Sequence, residues 1–309
     1  MCPACAADPA RAVRVAAPAK VNLYLGVHCE LDERGYHLVD SVMASLGLAD
    51  EVEVAPARGL CVACDPGAGC PAHKNTCWKA VEAMDAEFGV GTGFDVRVTR
   101  RVPNQAGLGG SSSDAAATIV GVCELCGIDS RDPRVAAVAR RVGADVPFFL
   151  AGGVCYLDGG GDVLRESFDV PCDRGRPASV VVVRAPGDGV STPAAYGDFD
   201  RDPVDAGALE PMLEALRAGD ADAVVANVGN NLAPVACRLL PTCAATLEWL
   251  RTWAAGGVRV AQVSGSGSSC FAICEDDAVA SAVEGAARER GWWACATRLS
   301  AEGAVLLGR

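Results

Sequence analysis

The chain has 309 residues, half of them apolar, and a formal net charge of -12. That length suits two domains, and the acidic balance argues against nucleic acid or an anionic membrane surface as the main partner, while leaving room for a local basic pocket for a phosphorylated small molecule. No run of 18 apolar residues and no signal segment stands out, so a soluble cytoplasmic protein is expected.

In chain order, residues 1–11 are small and polar and are expected to fray. Val13 and Val15, then Lys20–His28, alternate like two strands, with Ala17-Pro18-Ala19 as a break between them. His37–Leu46 and Glu51–Val54 read as further strands, and Arg58–Lys74, rich in Gly, Pro and Cys, as a loop. Helical spacing covers Thr76–Phe88, and Gly93–Arg101 alternates like a strand. After a glycine-rich loop, Ser112 or Ser113 is placed to N-cap a helix running to about Cys126. A helix over Pro133–Val142 precedes a tight connector, Gly143–Phe149, and a strand, Val154–Leu157. Ser167–Arg176 reads as the linker, dividing the chain into 1–168 and 169–309. Beyond it the pattern predicts strands at Ser179–Arg184, Arg259–Val263, Cys270–Cys274 and Ala294–Leu299, with helices near Ala208–Arg217, Val235–Cys237, Ala244–Ala254 and Asp277–Glu289. Without a strict βαβ rhythm, the class is α+β.

Sixteen cysteines include three Cys-x-x-Cys pairs: Cys2/Cys5, Cys61/Cys64 and Cys123/Cys126. Cys61, Cys64, Cys70 and Cys77 could form a zinc loop, but their spacing is irregular for a ribbon. Reduced, mostly structural thiols are the reading preferred here, with Cys123/Cys126 in a helix and Cys155 in a strand as small apolar fillers.

The stretch Asn104-Gln-Ala-Gly-Leu-Gly-Gly-Ser-Ser-Ser-Asp114 gives up side chains just before a helix. Exposed N–H groups at a helix N-terminus bind anions. The P-loop lysine, the dinucleotide glycine spacing and the GxSxG elbow are all missing. A phosphate cradle and a plain glycine turn with a serine cap both fit. Asp145, at the break before Pro147, is either a turn aspartate or a base poised near a pocket. Lys20 opens an apolar strand, as a solvated lysine or as an ammonium stabilising developing negative charge. Gly35-Tyr36-His37 is a turn whose rings either pack on the surface or take a flat base. His28 and His73 are isolated and suggest no role.

Pro103–Ala117 resembles the glycine–serine phosphate loop of the GHMP kinase superfamily. Pro18-Ala-Lys-Val-Asn-Leu-Tyr-Leu25, Gly35-Tyr-His37 with Leu38–Ser41, Lys74–Ala80, Gly143-Ala-Asp-Val-Pro-Phe-Phe-Leu150, Gly189–Tyr196, Asn230–Ala236 and Val263–Phe271 extend the likeness in order, from about residue 13 onward. Arg100 stands where lysine is frequent, and the Arg58–Lys74 insert is a departure. The resemblance implies a two-domain fold, with an N-terminal half like ribosomal protein S5 domain 2 and a ferredoxin-like C-terminal half. It implies ATP-dependent phosphorylation of the 2-hydroxyl of a cytidine-diphosphate methylerythritol, a step of the non-mevalonate isoprenoid route, with Mg2+ on the phosphates. Homoserine, mevalonate or a non-catalytic binding role are the alternatives. By resemblance, Arg100, Pro103, Gly107, Leu108, Gly109, Gly110, Ser111, Ser112 and Ser113 bind ATP. Asp145 is the base and Lys20 its cationic partner, oriented by Asn22. Tyr36 and Tyr196 sandwich the cytosine, His37 reads its edge, and Gly265 and Gly267 let the second domain approach the substrate's phosphates. Ser112, Ser113 and Asp114 are candidate Mg2+ ligands, with capping as the alternative role.

Overall fold

The computed structural model describes residues 8–67, 69–173, 175–187, 189 and 191–308. Cys2, Cys5 and most of the expected frayed end lie outside them. Pro9–Arg11 form a short 3-10 turn.

The N-terminal half is built on two long strands, β1 (Val13–Leu31) and β2 (His37–Pro56), paired antiparallel. The break predicted at Ala17–Ala19 shrinks to a register shift between Pro18 and Lys20 within one strand. Pro18 has no N–H for a ladder, so pairing slips there, and the Lys20 N–H donates instead to the Leu108 carbonyl at 3.0 Å. The two strands predicted between His37 and Val54 are likewise fused in β2. The predicted loop Arg58–Lys74 contains a strand, β3 (Cys61–Asp65), parallel to β4 (Phe94–Thr99), and a 3-10 turn, Ala72–Lys74.

Helix α1 (Thr76–Phe88) starts where predicted because the Asn75 side chain accepts the Cys77 N–H at 2.9 Å, and it stops at left-handed Gly89. Helix α2 (Gly110–Cys126) follows the glycine loop, and α3 (Pro133–Val142) is capped by Asp132. The predicted connector Gly143–Phe149 is mostly helix, α4 (Val146–Ala151), with Asp145 at its N-cap. Pro147 sits in its first turn, where a missing N–H costs nothing. Strands β5 (Val154–Asp158) and β6 (Val163–Phe168) form a hairpin. The predicted linker holds the end of β6 and a small hairpin of β7 (Cys172–Asp173) and β8 (Arg176–Pro177).

Beyond it come β9 (Ser179–Arg184), α5 (Thr192–Phe199), α6 (Glu210–Ala218), α7 (Ala221–Ala226), β10 (Gly229–Asn230), α8 (Ala233–Leu239) and α9 (Pro241–Arg251). The chain closes with β11 (Val258–Val263), β12 (Cys270–Cys274), α10 (Asp277–Glu289), β13 (Trp293–Ser300) and β14 (Val305–Leu306). Helices α5 and α7 are short and escape the periodicity reading.

The main strand order is β10-β1-β2-β13-β9-β12-β11. The long outer edge of β2 is taken in turn by β5, β13 and β4. Strand β13 pairs with both β2 and β9 and so joins the two halves. One core lies between β1, β2, β4 and helices α1 to α4, centred on Met84, Ile119, Phe148 and Phe149. The four valines of β9 are buried on both faces: Val180 and Val182 meet α6 residues such as Met212, while Val181 and Val183 meet Leu247, Leu250 and Val283 of α9 and α10. An unbroken apolar run is what such a two-sided position demands. Among the described residues no helix is long and apolar enough to cross a membrane.

Candidate active site

The glycine loop, the register shift of β1 and the N-terminus of α4 meet around one cleft of about 450 Å3. Lys20, Asn22, Asp145 and Tyr196 line it. So do Arg100, Pro103 and the run Gly107–Ser112 on one side, and Gly265 and Gly267 on the other. A larger recess, about 690 Å3, is set among Arg176, Arg259 and Arg298. Its Arg259 and Arg298 are already paired with Asp222 and Asp277, and it has no glycine loop.

Lys20 is 4% exposed. Its Nζ donates to Asn22 Oδ1 at 2.6 Å, and Asn22 Nδ2 donates to Ser41 Oγ at 2.9 Å, so three buried polar side chains hold one another in place. Burial pulls the Lys20 ammonium below the ordinary lysine range, with the Asp145 carboxylate acting against it. Asp145 makes no capping bond through its side chain, which leaves the carboxylate to the cleft. Tyr196, on α5, also feels it: burial first and Asp145 second push the phenol up to about 12.

The glycines answer to space. Gly109 N-caps α2 in the left-handed conformation, φ 72°, correcting the predicted cap at Ser112 or Ser113. A Cβ there would lie 2.5 Å from Phe149 Cζ and 3.1 Å from Lys20 Cγ. At Gly107 a Cβ would lie 2.0 Å from the Ser264 carbonyl. The loop therefore presses on the lysine below and on the second glycine loop beside it. The N–H groups of Ser112 and Ser113 bond back to Gly109 O. Ser113 is fully buried and does not line the cleft, and its Oγ has no hydrogen-bond partner among the described residues.

Tyr36 and His37 stand apart from this lining. Tyr36 is 59% exposed, with the Arg34 guanidinium over its ring at 5.3 Å. The His37 ring stacks on Tyr196 at 4.9 Å, its Nδ1 2.7 Å from the His28 carbonyl and its Nε2 3.3 Å from Asp200. The structure thus brings His37 to Tyr196 but leaves Tyr36 on the rim.

Beneath the loop lies a charge cluster that sequence reading does not isolate. Asp50 is 3% and Asp114 1% exposed, their carboxyl groups are in hydrogen-bond contact with each other, and the cation beside them is Arg100. Arg100 Nη2 donates to Asp114 Oδ2 at 3.2 Å and Nη1 to Asn104. Asp50 Oδ1 accepts the N–H groups of Arg101 and, at 2.7 Å, Val102. Two buried carboxylates facing one guanidinium leave a charge uncompensated if both ionise. Burial, then Asp50, hold the Asp114 carboxyl well above the usual range, and burial also raises Asp50. Asp50 keeps two N–H bonds that favour its anion, so Asp114 holds the shared proton.

The folded pKa of Asp114 is raised, so the folded chain binds more protons than the unfolded one above about pH 4, and stability falls as pH rises through that window. Asp114→Asn removes this dependence. Thermal denaturation between about pH 5 and about pH 7 should show wild type losing stability relative to the variant, by at most about 1.4 kcal/mol per pH unit. Parallel curves would refute the shared proton.

Two further groups have no role assigned from the sequence, although Asn230 opens one of the motifs of the family likeness. Asn230 Nδ2 donates to the carbonyls of Val263 and Gly265, at 2.9 and 2.8 Å, and fastens the second glycine loop to the sheet. Its place in an Asn-Asn pair before a helix was the available signal. Arg184 closes a strand of four valines, a polar end without periodicity to mark it. Among the described residues no group of His, Cys, Asp or Glu forms a metal cluster, and the described cysteines are free, including Cys61, Cys64, Cys70 and Cys77.

The glycine loop and the segment through Asp145 fall within residues 75–153, which match the GHMP kinases N terminal domain, and residues 212–291 match the GHMP kinases C terminal domain. A 4-diphosphocytidyl-2-C-methyl-D-erythritol kinase of Deinococcus radiodurans is 37% identical over 287 residues, 92% of this chain and 92% of its own length. The chain belongs to the GHMP kinases. It is a small-molecule kinase, and ATP is the phosphate donor of its family. The kinase of the same name from Rhodococcus jostii is 34% identical over 96% of this chain and 94% of its own. A crystal structure of 4-(cytidine 5'-diphospho)-2C-methyl-D-erythritol kinase superposes with a TM-score of 0.71 at 31% identity, covering 93% of this chain and all of that one. Homoserine kinase from Cytophaga hutchinsonii superposes with the same TM-score at 18% identity, a likeness of fold.

Proposed function

We propose that this kinase transfers the γ-phosphoryl group of ATP to the 2-hydroxyl of 4-(cytidine 5'-diphospho)-2-C-methyl-D-erythritol, in the non-mevalonate route to isoprenoids. The observation that carries the chemistry is the meeting of Lys20, Asn22 and Asp145 opposite the glycine loop in one cleft. The named substrate of the relatives supports the acceptor. The halves are taken to divide at 168/169, between the two family matches.

Phosphoryl transfer asks for in-line positioning and neutralised charge more than covalent help. Backbone N–H groups of the loop and the positive end of the 17-residue α2 hold the β- and γ-phosphates. Pro103 and Arg100 line the nucleotide side of the cleft, Arg100 with its guanidinium held by Asp114 beneath the loop. Asp145 takes the proton of the attacking hydroxyl, and the Lys20 ammonium, held by Asn22, stabilises charge on the transferring group. Tyr196 offers its ring to the cytosine, His37 its edge, and exposed Tyr36 the second face. Gly265 and Gly267 admit the substrate's phosphates close to the backbone.

Mg2+ on the polyphosphate would be carried chiefly by phosphate oxygens, consistent with the missing carboxylate cage among the described residues. Of the candidates Ser112, Ser113 and Asp114, Ser112 lines the cleft and is taken as the hydroxyl that would ligate it. Asp114 and Ser113 face inward and do not suit that role.

An ADP-release assay with a panel of acceptors tests the reading. The cytidylylated methylerythritol should exceed homoserine and mevalonate in kcat/KM by at least ~10^3-fold, since unpaired base-recognition groups penalise acceptors without the nucleotide. ADP release indifferent to acceptor, or favouring homoserine, would overturn it.

A further inference from the structure

Arg184 is the first polar side chain after the four buried valines of β9. Its guanidinium reaches three separate pieces of chain. Nε donates to Ser268 Oγ at 2.8 Å, in the second glycine loop. Nη1 donates to the Asn104 carbonyl at 3.0 Å, at the entrance of the first. Nη2 donates to the Gly187 carbonyl at 3.2 Å, at the start of the segment that leads to α5 and Tyr196. Asn104 itself lines the cleft, as do Gly267 next to Ser268 and Ser191 a few residues beyond Gly187, so each piece leads into a separate wall.

Other contacts show how closely the walls are fitted. Ser264 Oγ donates to the Gly107 carbonyl at 2.9 Å, and the Ser269 N–H to the Ala106 carbonyl at 3.1 Å. A Cβ on Gly189 would lie 2.2 Å from the Gln105 carbonyl. Those contacts join the walls in pairs, whereas Arg184 spans all three. A planar guanidinium presents several donors in fixed directions, and a lysine ammonium cannot span acceptors so placed.

We propose that Arg184 is a positioning residue for phosphoryl transfer, fixing the two glycine loops and the segment before α5 in mutual register so that donor phosphate and acceptor hydroxyl stay in line. Arg184 is not among the residues that line the cleft, so it acts through the loops it holds. The inference rests on the assignment of this cleft to phosphoryl transfer.

Arg184→Met and Arg184→Lys, in the full chain, test it. Both are expected to lower kcat by ~10^2-fold, as small misplacements in a positioned reaction do, with the binding constant for ATP changed only a few-fold. Methylguanidine added to Arg184→Met should restore part of kcat and leave wild type unaffected. Hydrogen exchange in peptides spanning residues 104–110 and 264–269 should quicken in both variants while the thermal midpoint holds. This readout needs no acceptor, so it separates a failure of the clamp from a failure of the assigned substrate. Wild-type kcat in the lysine variant, unchanged loop exchange in either, or a loss of kcat that only follows a fallen midpoint would overturn the proposal.

Discussion

Asp145→Asn should abolish nearly all turnover, lowering kcat by ~10^3-fold or more, while ATP still binds within a few-fold of wild type. Asparagine keeps the shape and loses the basicity. The position is suited to a clean result because the carboxylate makes no capping bond at α4. Compare Asp132 and Asp276, whose side chains accept N–H groups of their own helices. Replacing either of those would cost stability of about 1 kcal/mol through the cap. At Asp145 the cap costs nothing, and the rigid stretch behind it, Val146–Phe149, is fully buried and keeps the backbone in place. The variant should therefore melt close to wild type. Steady-state kinetics with equilibrium ATP binding decides the matter: turnover within tenfold of wild type would remove Asp145 as the base.

Much of this was legible in the residues, for identifiable reasons. Helices α1, α3 and α10 start where an Asn or Asp side chain closes the first turn, and such caps are written in the sequence. The two-sided burial of β9 shows as an unbroken valine run. The glycine loop, Lys20 and Asp145 carried a family likeness that no single motif held alone. What was hidden depends on tertiary pairing. β3 is a five-residue, half-exposed strand amid Gly, Pro and Cys, made a strand by β4 beside it. The continuity of β1 through Pro18 needs β2 to hold both sides of the slip. The cap of α2 moved from serine to Gly109 because Phe149 and Lys20 leave no room for a side chain. The Asp50–Arg100–Asp114 cluster joins residues from β2, the loop and α2, far apart in the chain, and local pattern does not reach that far.

Lys20→Met should separate catalysis from stability. Methionine fills similar space without a charge, so a buried ammonium that is costly to desolvate is removed. Asn22 Oδ1 loses its donor, a cost of roughly 1–3 kcal/mol that the relieved desolvation offsets. The thermal midpoint should therefore change little. Turnover should fall by ~10^2- to 10^3-fold, the size of effect seen when one preorganised electrostatic group is lost. Lys20→Arg should not rescue it. The two glycine loops already close on this side chain: a Cβ on Gly109 would lie 3.1 Å from Lys20 Cγ, and one on Gly265 would lie 3.3 Å from its Nζ. A wider, planar guanidinium is displaced toward the cleft, away from the point beside Asn22 that the ammonium holds. The pH profile adds a direction. Activity needs the ammonium, and burial lowers its pKa, so turnover in wild type should decline on the alkaline side earlier than a free lysine, near about 10.4, would allow. Retained turnover in the methionine variant would show that the charge at this point of β1 is structural and that the glycine loop bears the transferring phosphate without it, and an arginine variant as active as wild type would show that a positive charge suffices there whatever its shape.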